Sequence, residues 1–200
     1  MLIVGLTGSI AMGKTETAKM FSARGIPVFD SDAAVHALYA KGGEAIPFIE
    51  QLFPAAVVDG SVDRRRLAAG VMAEPDLLKK IEAAVHPLVR ARQEAFLSEA
   101  RRNKAAFAIL DIPLLFETER DKDVDKIVVV SARPKLQRQR ALAREGMTAE
   151  KLDFILAKQV PDLEKRRRAD HVIDTSVSLE DAAGQVDRII TELKKQGTAA

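Results

Sequence analysis

A glycine-bounded loop near the start of the chain has the residue types and spacing that bind phosphate. Residues 8–15 fit the pattern G-x-x-x-x-G-K-[ST] at every fixed position. Gly8 and Gly13 allow close backbone approach, Lys14 carries a positive charge for the β- and γ-phosphates, and the Thr15 hydroxyl suits Mg²⁺. The pattern predicts a nucleotide-binding loop. It leaves open whether the terminal phosphate goes to water, is released slowly or is passed to an acceptor.

The variable positions of this loop bear on its conformation. Loops of this kind often have glycine or serine where this chain has Ala11 and Met12. If Ala11 adopts a positive φ, we expect a modest local strain, because only glycine takes that conformation freely.

The elements around the loop follow the order that a phosphate loop requires. Residues 2–6 form a short, apolar, β-branched run typical of a buried strand. After Lys14, Ala18 and Phe21 recur at helical spacing, and Gly25 supplies a stop. A strand, the loop and a helix are therefore predicted in succession, with the helix N-terminus facing the phosphates.

Four more apolar runs resemble the first, at residues 26–29, 107–110, 127–130 and 171–173. Helical stretches separate them, and the last helix is predicted to begin near Ser178. We therefore expect an α/β protein with a three-layer α/β/α fold and a five-stranded parallel sheet.

The spacing of these runs is uneven and predicts two additions to the core. About 75 residues separate the second run from the third, which indicates a helical insertion. The segment 131–170 between the last two runs is rich in arginine and lysine and suggests a helical lid. The predicted parts are a core of 1–35, 104–135 and 169–200, an insertion of 36–103 and a lid of 136–168.

Composition narrows the class of protein. The 200 residues contain no cysteine, which excludes disulfides and thiolate catalysis, and 47% are hydrophobic against 4% aromatic. No basic leader or long apolar run is present, so a soluble cytoplasmic protein without membrane contact is expected. The net charge of +2 fits an anionic small molecule and gives no reason to expect nucleic acid as a partner.

Acidic residues follow the second and third runs, where ligands bind in parallel α/β sheets. One carboxylate of Asp30-Ser31-Asp32 is a candidate to accept a proton from a substrate hydroxyl, or else to cap the next helix. Asp111 closes the third run and is typical of an acid that organises Mg²⁺. Glu117 is a candidate for substrate contact or for a helix cap.

The basic segment supplies candidates for contact with a triphosphate, because a guanidinium group binds phosphate oxygens as a planar fork. Any one of these arginines alternatively belongs to a solvated face. The candidates are Arg138, Arg140, Arg144, Arg166, Arg167 and Arg168.

A series of motifs along almost the whole chain resembles the dephospho-coenzyme A kinase family. The series is TGSIAMGKT, VFDSD, VHPLV, LDIPLLFE, QRQRALAREGM and KRRRADHVIDT, in this order. The resemblance spans roughly residues 2–195 and implies a nucleotide-binding core, a coenzyme-binding insertion and a mobile lid. It also implies ATP and Mg²⁺ as cofactors, dephospho-coenzyme A as substrate, and a monomer or weak homo-oligomer.

The resemblance also assigns roles by position. It makes Asp32 the catalytic base, with Lys14 and Arg140 also acting in transfer, and puts Arg144 in the lid. His86 and Pro87 fall in the insertion, where a helix start is an alternative to substrate contact. The substrate side is assigned Asp111, Leu114, Leu115 and Glu117. The nucleotide side is assigned Gly8, Ser9, Ile10, Ala11, Met12, Gly13, Lys14, Thr15 and Glu16, of which Ser9, Ala11 and Glu16 depart from the residues the family commonly has.

Two other classes of function share the loop. A nucleoside or nucleoside-monophosphate kinase would also have a lid, but the long insertion and the motif series speak against it. A GTP-binding switch or an ATP-dependent nucleic-acid module is the non-metabolic alternative. The chain lacks an N-K-x-D stretch for guanine and shows no aromatic platform for stacking bases.

Overall fold

The computed structural model describes residues 1–197. Helices separate the predicted apolar runs, except that the segment 112–125 between the third and fourth runs contains turns and a 3₁₀ helix but no α-helix. The strands are β1 Leu2–Thr7, β2 Val28–Asp30, β3 Val57–Val58, β4 Ser61–Val62, β5 Phe107–Asp111, β6 Lys126–Ser131 and β7 His171–Asp174. The helices are α1 Lys14–Ser22, α2 Ser31–Tyr39, α3 Ile46–Leu52, α4 Arg64–Ala73, α5 Pro75–Arg102, α6 Pro134–Leu142, α7 Ala149–Lys158, α8 Asp162–Arg168 and α9 Leu179–Gly197. Short 3₁₀ turns occupy Pro54–Ala56 and Arg120–Asp123.

The five predicted strands form one parallel sheet in the order β2-β5-β1-β6-β7. The central strand β1 pairs with β5, where Leu6 lies opposite Asp111, and with β6, where Thr7 lies opposite Val129. The order places the C-terminal ends of β1 and β5 side by side. The phosphate loop and Asp111 therefore leave the sheet at the same edge.

Helix α9 shows how the sheet is covered. Its buried residues are Ala182, Val186, Ile189, Ile190 and Leu193, which are the positions that helical spacing predicts. Ser178 caps this helix, because its Oγ accepts a hydrogen bond from Asp181 N at 3.0 Å. The apolar face of α9 packs with Phe21 of α1 on a core built from β1, β5, β6 and β7.

The chain divides into two compact units, residues 1–29 with 100–200 and residues 30–99. The predicted lid segment 136–168 falls in the first unit together with the sheet, and of the predicted core segment 169–200, residues 198–200 lie outside the described part. Residues 30–99 have a separate core that includes Leu38, Ile49, Leu67, Ile81 and Val85. The three-part division into core, coenzyme-binding insertion and lid stays a prediction.

The second unit is not wholly helical. Strands β3 and β4 form a two-stranded antiparallel hairpin, with Val57 opposite Val62. Asp59 and Gly60 both have positive φ, as two-residue hairpin turns require. Two-residue strands are too short to show a hydrophobic period, so only the Asp-Gly turn was visible in the sequence.

The structure excludes one of the two alternatives for His86 and Pro87. Pro87 lies inside α5, which begins at Pro75, so the interpretation of His86-Pro87 as a helix start is incorrect. Proline interrupts one backbone hydrogen bond but does not end a helix whose apolar face is packed. Ile81 and Val85 on this helix are buried in the core of the second unit. Within residues 1–197, no helix is long and apolar enough to cross a membrane.

Candidate active site

The phosphate loop joins β1 to α1, and both of its fixed glycines are required by the packing. A Cβ atom at Gly8 would lie 2.6 Å from the Val130 carbonyl oxygen. Gly13 has a φ of +95°, and a Cβ atom there would lie 3.2 Å from Thr175 Oγ1. Helix α1 begins at Lys14, so its N-terminal N–H groups and positive dipole end adjoin the loop.

Lys14 contacts Asp111, which comes from the end of β5. The lysine Nζ lies against Asp111 Oδ1, and the two side chains are only 17% and 5% exposed. The structure therefore brings together two predicted site residues that are 97 positions apart in the chain. In this mostly buried setting, the charge of Lys14 is screened little by solvent, which strengthens its attraction to an anion.

The first turn of α1 carries the predicted metal ligand. Thr15 and Glu16 are both exposed, and Glu16 pairs with Lys19 on the same helix at 2.8 Å. The described residues contain no cluster of three or more His, Cys, Asp or Glu side chains able to hold a metal without help. A hydroxyl at Thr15 and a carboxylate at Asp111 are the hard oxygen donors that Mg²⁺ prefers when phosphate completes its shell.

The predicted lid arginines have different environments. Arg140 is tied to the loop after β7, where it donates to Thr175 Oγ1 at 2.9 Å and to Thr175 O at 2.8 Å. Arg138 pairs with Asp153 of α7 at 2.7 Å. Arg144 is exposed and has no side-chain partner within residues 1–197. Arg140 and Arg144 therefore remain the candidates for phosphate contact on α6 and the turn after it.

The three arginines of α8 are exposed, and two of them have ion-pair partners. Arg167 pairs with Glu164 at 3.0 Å, and Arg168 pairs with Asp121 at 2.6 Å. Arg168 also lies over the Phe116 ring at 4.3 Å. These contacts fit surface and packing roles better than a triphosphate clamp.

Hydrogen bonds connect the loop after β7 to the segment between β6 and α6. Ser176 N donates to Asp174 Oδ1 at 2.7 Å, and Ser176 Oγ accepts from Arg133 N at 2.7 Å. Burial alone would raise the pKa of Asp174, but the Ser176 hydrogen bonds and the charges of Arg133 and Arg166 outweigh it and lower this pKa. Asp174 therefore stays ionised at neutral pH and holds the turn that presents Thr175.

Glu117 forms a buried ion pair that the sequence did not predict. Its Oε1 lies 2.8 Å from Lys165 Nζ and accepts a hydrogen bond from Val160 N at 2.9 Å. Lys165 is fully buried, and its contact with Glu117 is an ion pair. Glu117 thus links the segment after β5 to α8 instead of capping a helix.

The two leucines assigned to the substrate side are not equivalent. Leu115 is fully buried and packs near Gly5 of β1, whereas Leu114 is 43% exposed. Leu115 therefore serves the core through its side chain, and of the two only Leu114 has side-chain surface available to a ligand.

Comparison with known proteins decides which kinase this arrangement belongs to. Residues 2–181 match the family model of dephospho-CoA kinase, CoaE. The dephospho-CoA kinase of Mesorhizobium japonicum is 57% identical over 98% of this chain and 98% of its own. That of Agrobacterium fabrum is 53% identical over 96% of this chain and 98% of its own.

The chain belongs to the dephospho-CoA kinase family. Solved structures of similar proteins have the same fold as this chain. The crystal structure of TT1252 from Thermus thermophilus has a TM-score of 0.79 and 36% identity, and covers 96% of this chain and 97% of its own. A dephospho-CoA kinase from Campylobacter jejuni has a TM-score of 0.73 and 24% identity, and covers 97% and 98%.

In the second unit, the structure distinguishes the two aspartates of Asp30-Ser31-Asp32, either of which was a candidate proton acceptor or helix cap from its position alone. Asp30 caps α2, because its Oδ1 accepts a hydrogen bond from Ala33 N at 2.9 Å. Asp32 lies in the first turn of α2, exposed, and takes no part in this cap. The capping alternative therefore applies to Asp30, and the assignment of Asp32 as base stays a prediction.

The second unit also contains a polar contact that sequence reasoning missed. Arg64, at the start of α4, places Nη1 2.5 Å from His36 Nε2 on α2. Because arginine can only donate, His36 Nε2 must accept in this contact. His36 lies one turn after Asp32 on the same face of α2. His86, the predicted substrate contact, is exposed on α5.

Three further residues missed by sequence reasoning contact the backbone of the phosphate loop: Gln137, Gln159 and Thr175. Glutamine and threonine have no pattern that marks such a role. The one available signal is general: the backbone groups of an irregular loop need hydrogen-bond partners from elsewhere in the chain, but the sequence does not say which residues supply them.

Proposed function

We propose that this chain is a dephospho-CoA kinase that transfers the γ-phosphate of ATP to the ribose 3′-hydroxyl of dephospho-CoA. The products are coenzyme A and ADP, and the reaction is the final step of coenzyme A biosynthesis. The observation that carries the proposal is family membership over residues 2–181 in a chain whose phosphate loop presents Lys14 beside Asp111.

Lys14 and the N-terminus of α1 stabilise the negative charge of the phosphates. The transferring phosphoryl group spreads charge over its oxygens, so donors already in place lower the barrier without reorganising. Asp111 supports this role by holding the lysine side chain at the end of β5. Arg140 and Arg144 add positive charge from α6 and the turn after it.

Asp32 accepts the proton of the 3′-hydroxyl as that oxygen attacks the γ-phosphorus. A carboxylate that caps no helix is available for this task, which favours Asp32 over Asp30. His86, Asp111, Leu114, Leu115 and Glu117 are the substrate-side residues of the proposal, with Leu115 and Glu117 contributing through the backbone or through the position of neighbouring segments.

Mg²⁺ would be held by the Thr15 hydroxyl, with Asp111 nearby, and when bound it supplies charge neutralisation for the phosphates. Closure of the segment 136–168 would exclude water and favour transfer over hydrolysis of ATP. The protein is expected to act as a monomer or weak homo-oligomer, with no nucleic-acid partner.

Product analysis tests the function directly. Purified protein is mixed with ATP, Mg²⁺ and dephospho-CoA, and coenzyme A and ADP are quantified by chromatography with mass detection. Parallel reactions replace dephospho-CoA with adenosine or AMP. We expect equal amounts of coenzyme A and ADP from dephospho-CoA and little product from the other acceptors.

Efficient phosphorylation of adenosine or AMP without conversion of dephospho-CoA would refute the proposal in favour of a nucleoside or nucleotide kinase. ATP hydrolysis without phosphorylation of any acceptor would refute it in favour of an ATPase. The variant Lys14→Ala, run in parallel, separates turnover by this loop from a contaminating kinase.

A further inference from the structure

The phosphate loop contains a strained residue in a buried position. Ala11 has a φ of +61° and is only 6% exposed. It follows Ile10 in a turn closed by a hydrogen bond from Met12 N to Ser9 O at 3.2 Å. Glycine is favoured where φ is positive, so alanine holds this conformation only if its surroundings impose it.

The methyl group of Ala11 packs in a small apolar cluster with Ala141 of α6 and Leu152 of α7. A glycine at this position would lose that packing. The alanine is therefore a compromise between backbone freedom and contact with two helices of the predicted lid segment.

Two residues of this loop, Ala11 and Gly13, have positive φ, and the peptide group before each of them is hydrogen-bonded to a side chain from another segment. Gln137 Nε2 donates to Ile10 O at 2.9 Å, and Ile10 N donates to Gln159 Oε1 at 3.1 Å. Thr175 Oγ1 donates to Met12 O at 2.7 Å. The residues that follow these two carbonyl groups are Ala11, with φ +61°, and Gly13, with φ +95°.

The chemistry of Thr175 fixes the direction of its hydrogen bond. Arg140 Nη1 donates to Thr175 Oγ1 at 2.9 Å, and arginine cannot accept. The single hydroxyl proton is therefore donated to a carbonyl oxygen, and Met12 O at 2.7 Å is much nearer than Ser131 O at 3.3 Å. Gln137 and Thr175 are 7% and 8% exposed, so water competes little for either contact.

Fixing the carbonyl oxygen of a peptide group also fixes the direction of its N–H group. In a trans peptide, the C=O and the following N–H point in opposite directions. Holding Ile10 O and Met12 O therefore directs the N–H groups of Ala11 and Gly13 away from Gln137 and Thr175. No hydrogen bond within residues 1–197 uses either of these N–H groups.

We propose that Gln137 and Thr175 are positioning residues that hold the N–H groups of Ala11 and Gly13 in the orientation needed to bind nucleotide phosphate. The proposal rests on the nucleotide binding of the proposed function but not on the identity of the acceptor. Neither residue touches the reacting atoms; each acts through a peptide group of the loop.

Binding of Mg-ADP, measured by calorimetry on the full chain, tests the proposal. Gln137→Met and Thr175→Val remove the hydrogen bonds while keeping similar side-chain volume. We expect each variant to weaken Mg-ADP binding by about three- to tenfold, the size of one lost hydrogen bond. Thr175→Ser keeps the hydroxyl and should recover most of the affinity.

Gln139→Met is the matched control, because Gln139 lies on the same helix as Gln137 but is exposed, and its side chain makes no hydrogen bond to the loop within residues 1–197. We expect this variant to bind Mg-ADP like the unmodified protein. Melting temperatures of the unliganded proteins show whether an effect on affinity is separate from an effect on folding.

The proposal is overturned if Gln137→Met and Thr175→Val bind Mg-ADP as tightly as the unmodified protein and differ only in melting temperature. It is also overturned if the unmodified protein does not bind Mg-ADP. If Mg-ADP binds as expected but dephospho-CoA is not phosphorylated, the proposed function fails while the positioning role is supported.

Discussion

Lys14 is the residue on which the proposed catalysis depends most directly. Replacing it with alanine removes the charge that faces the β- and γ-phosphates, so we expect kcat/KM to fall by about 10²–10³-fold. The variant should also lose thermal stability, because Asp111 is buried and loses one of the groups that stabilise its charge. Both quantities are measured on the same preparation.

A second substitution separates the two effects of Lys14→Ala. Adding Asp111→Asn removes the buried carboxylate charge and should restore much of the melting temperature without restoring turnover. Lys19→Ala on the same helix is the control, since Lys19 pairs with Glu16 in an exposed position. Near-normal turnover of a folded Lys14→Ala variant would show that another site performs the chemistry.

We expect the substitution of asparagine for aspartate to have opposite effects on phosphoryl transfer at Asp32 and at Asp30. Asp32→Asn removes the proposed proton acceptor, so we expect phosphoryl transfer to fall by about 10²–10⁴-fold with ATP affinity and melting temperature unchanged. Asp30→Asn should retain activity, because asparagine caps helices as well as aspartate. Transfer rate, ATP affinity and melting temperature are compared for the two variants. The reverse pattern would move the base assignment to Asp30.

Within the element formed by α6 and the following turn, Arg140 and Arg144 differ in how they are held. Arg140 is anchored to Thr175 by two hydrogen bonds, whereas Arg144 is exposed. We expect alanine at either position to lower kcat/KM by about tenfold or more, by analogy with other phosphate clamps. Only Arg140→Ala should also lower the melting temperature, because exposed arginines add little to stability.

Two further variants test whether the guanidinium groups of Arg140 and Arg144 act on phosphate. Lysine at Arg140 should recover only part of the activity, since a point charge does not reproduce the guanidinium fork. Arg138→Ala is the control on the same helix, because Arg138 pairs with Asp153. Full activity of the Arg140→Ala/Arg144→Ala double variant would assign both arginines to a solvated face.

For the whole molecule, Asp170 links the end of α8 to the start of β6. It accepts hydrogen bonds from Ile127 N at 2.8 Å and from Lys126 Nζ at 2.8 Å. Burial raises the pKa of Asp170, but the bonds from Lys126 and Ile127 outweigh it and lower this pKa below the usual value of 3.8. The contact lies at the opposite edge of the sheet from the phosphate loop.

A lowered pKa makes this stabilisation depend on pH in a defined direction. The contribution is present above pH 4, where the unfolded carboxyl is ionised, and is lost as the pH falls through the folded pKa. We expect Asp170→Asn to lower the melting temperature by about 2 °C at pH 7 and by less at pH 2. Thermal scans at both values test this, with the exposed Asp76→Asn as control. A constant difference would show that the charge of Asp170 is not responsible.

The sequence by itself determined the five strands of the parallel sheet, the phosphate loop and the family. Residues 2–6 and 127–130 are apolar runs whose β-branched side chains favour strands wherever they are buried, and the loop pattern is local. The motif series from VFDSD to KRRRADHVIDT identified the family because its order spans the chain. None of these inferences required knowing which strands are neighbours.

Only the tertiary structure decided which side chains meet. The strand order puts β5 beside β1, so Asp111 contacts Lys14 although 97 positions separate them. Likewise Gln137 and Thr175 reach the phosphate loop from segments more than 120 residues away, and Lys165 reaches Glu117. Such contacts depend on how helices and strands are packed, which local propensity and periodicity do not encode.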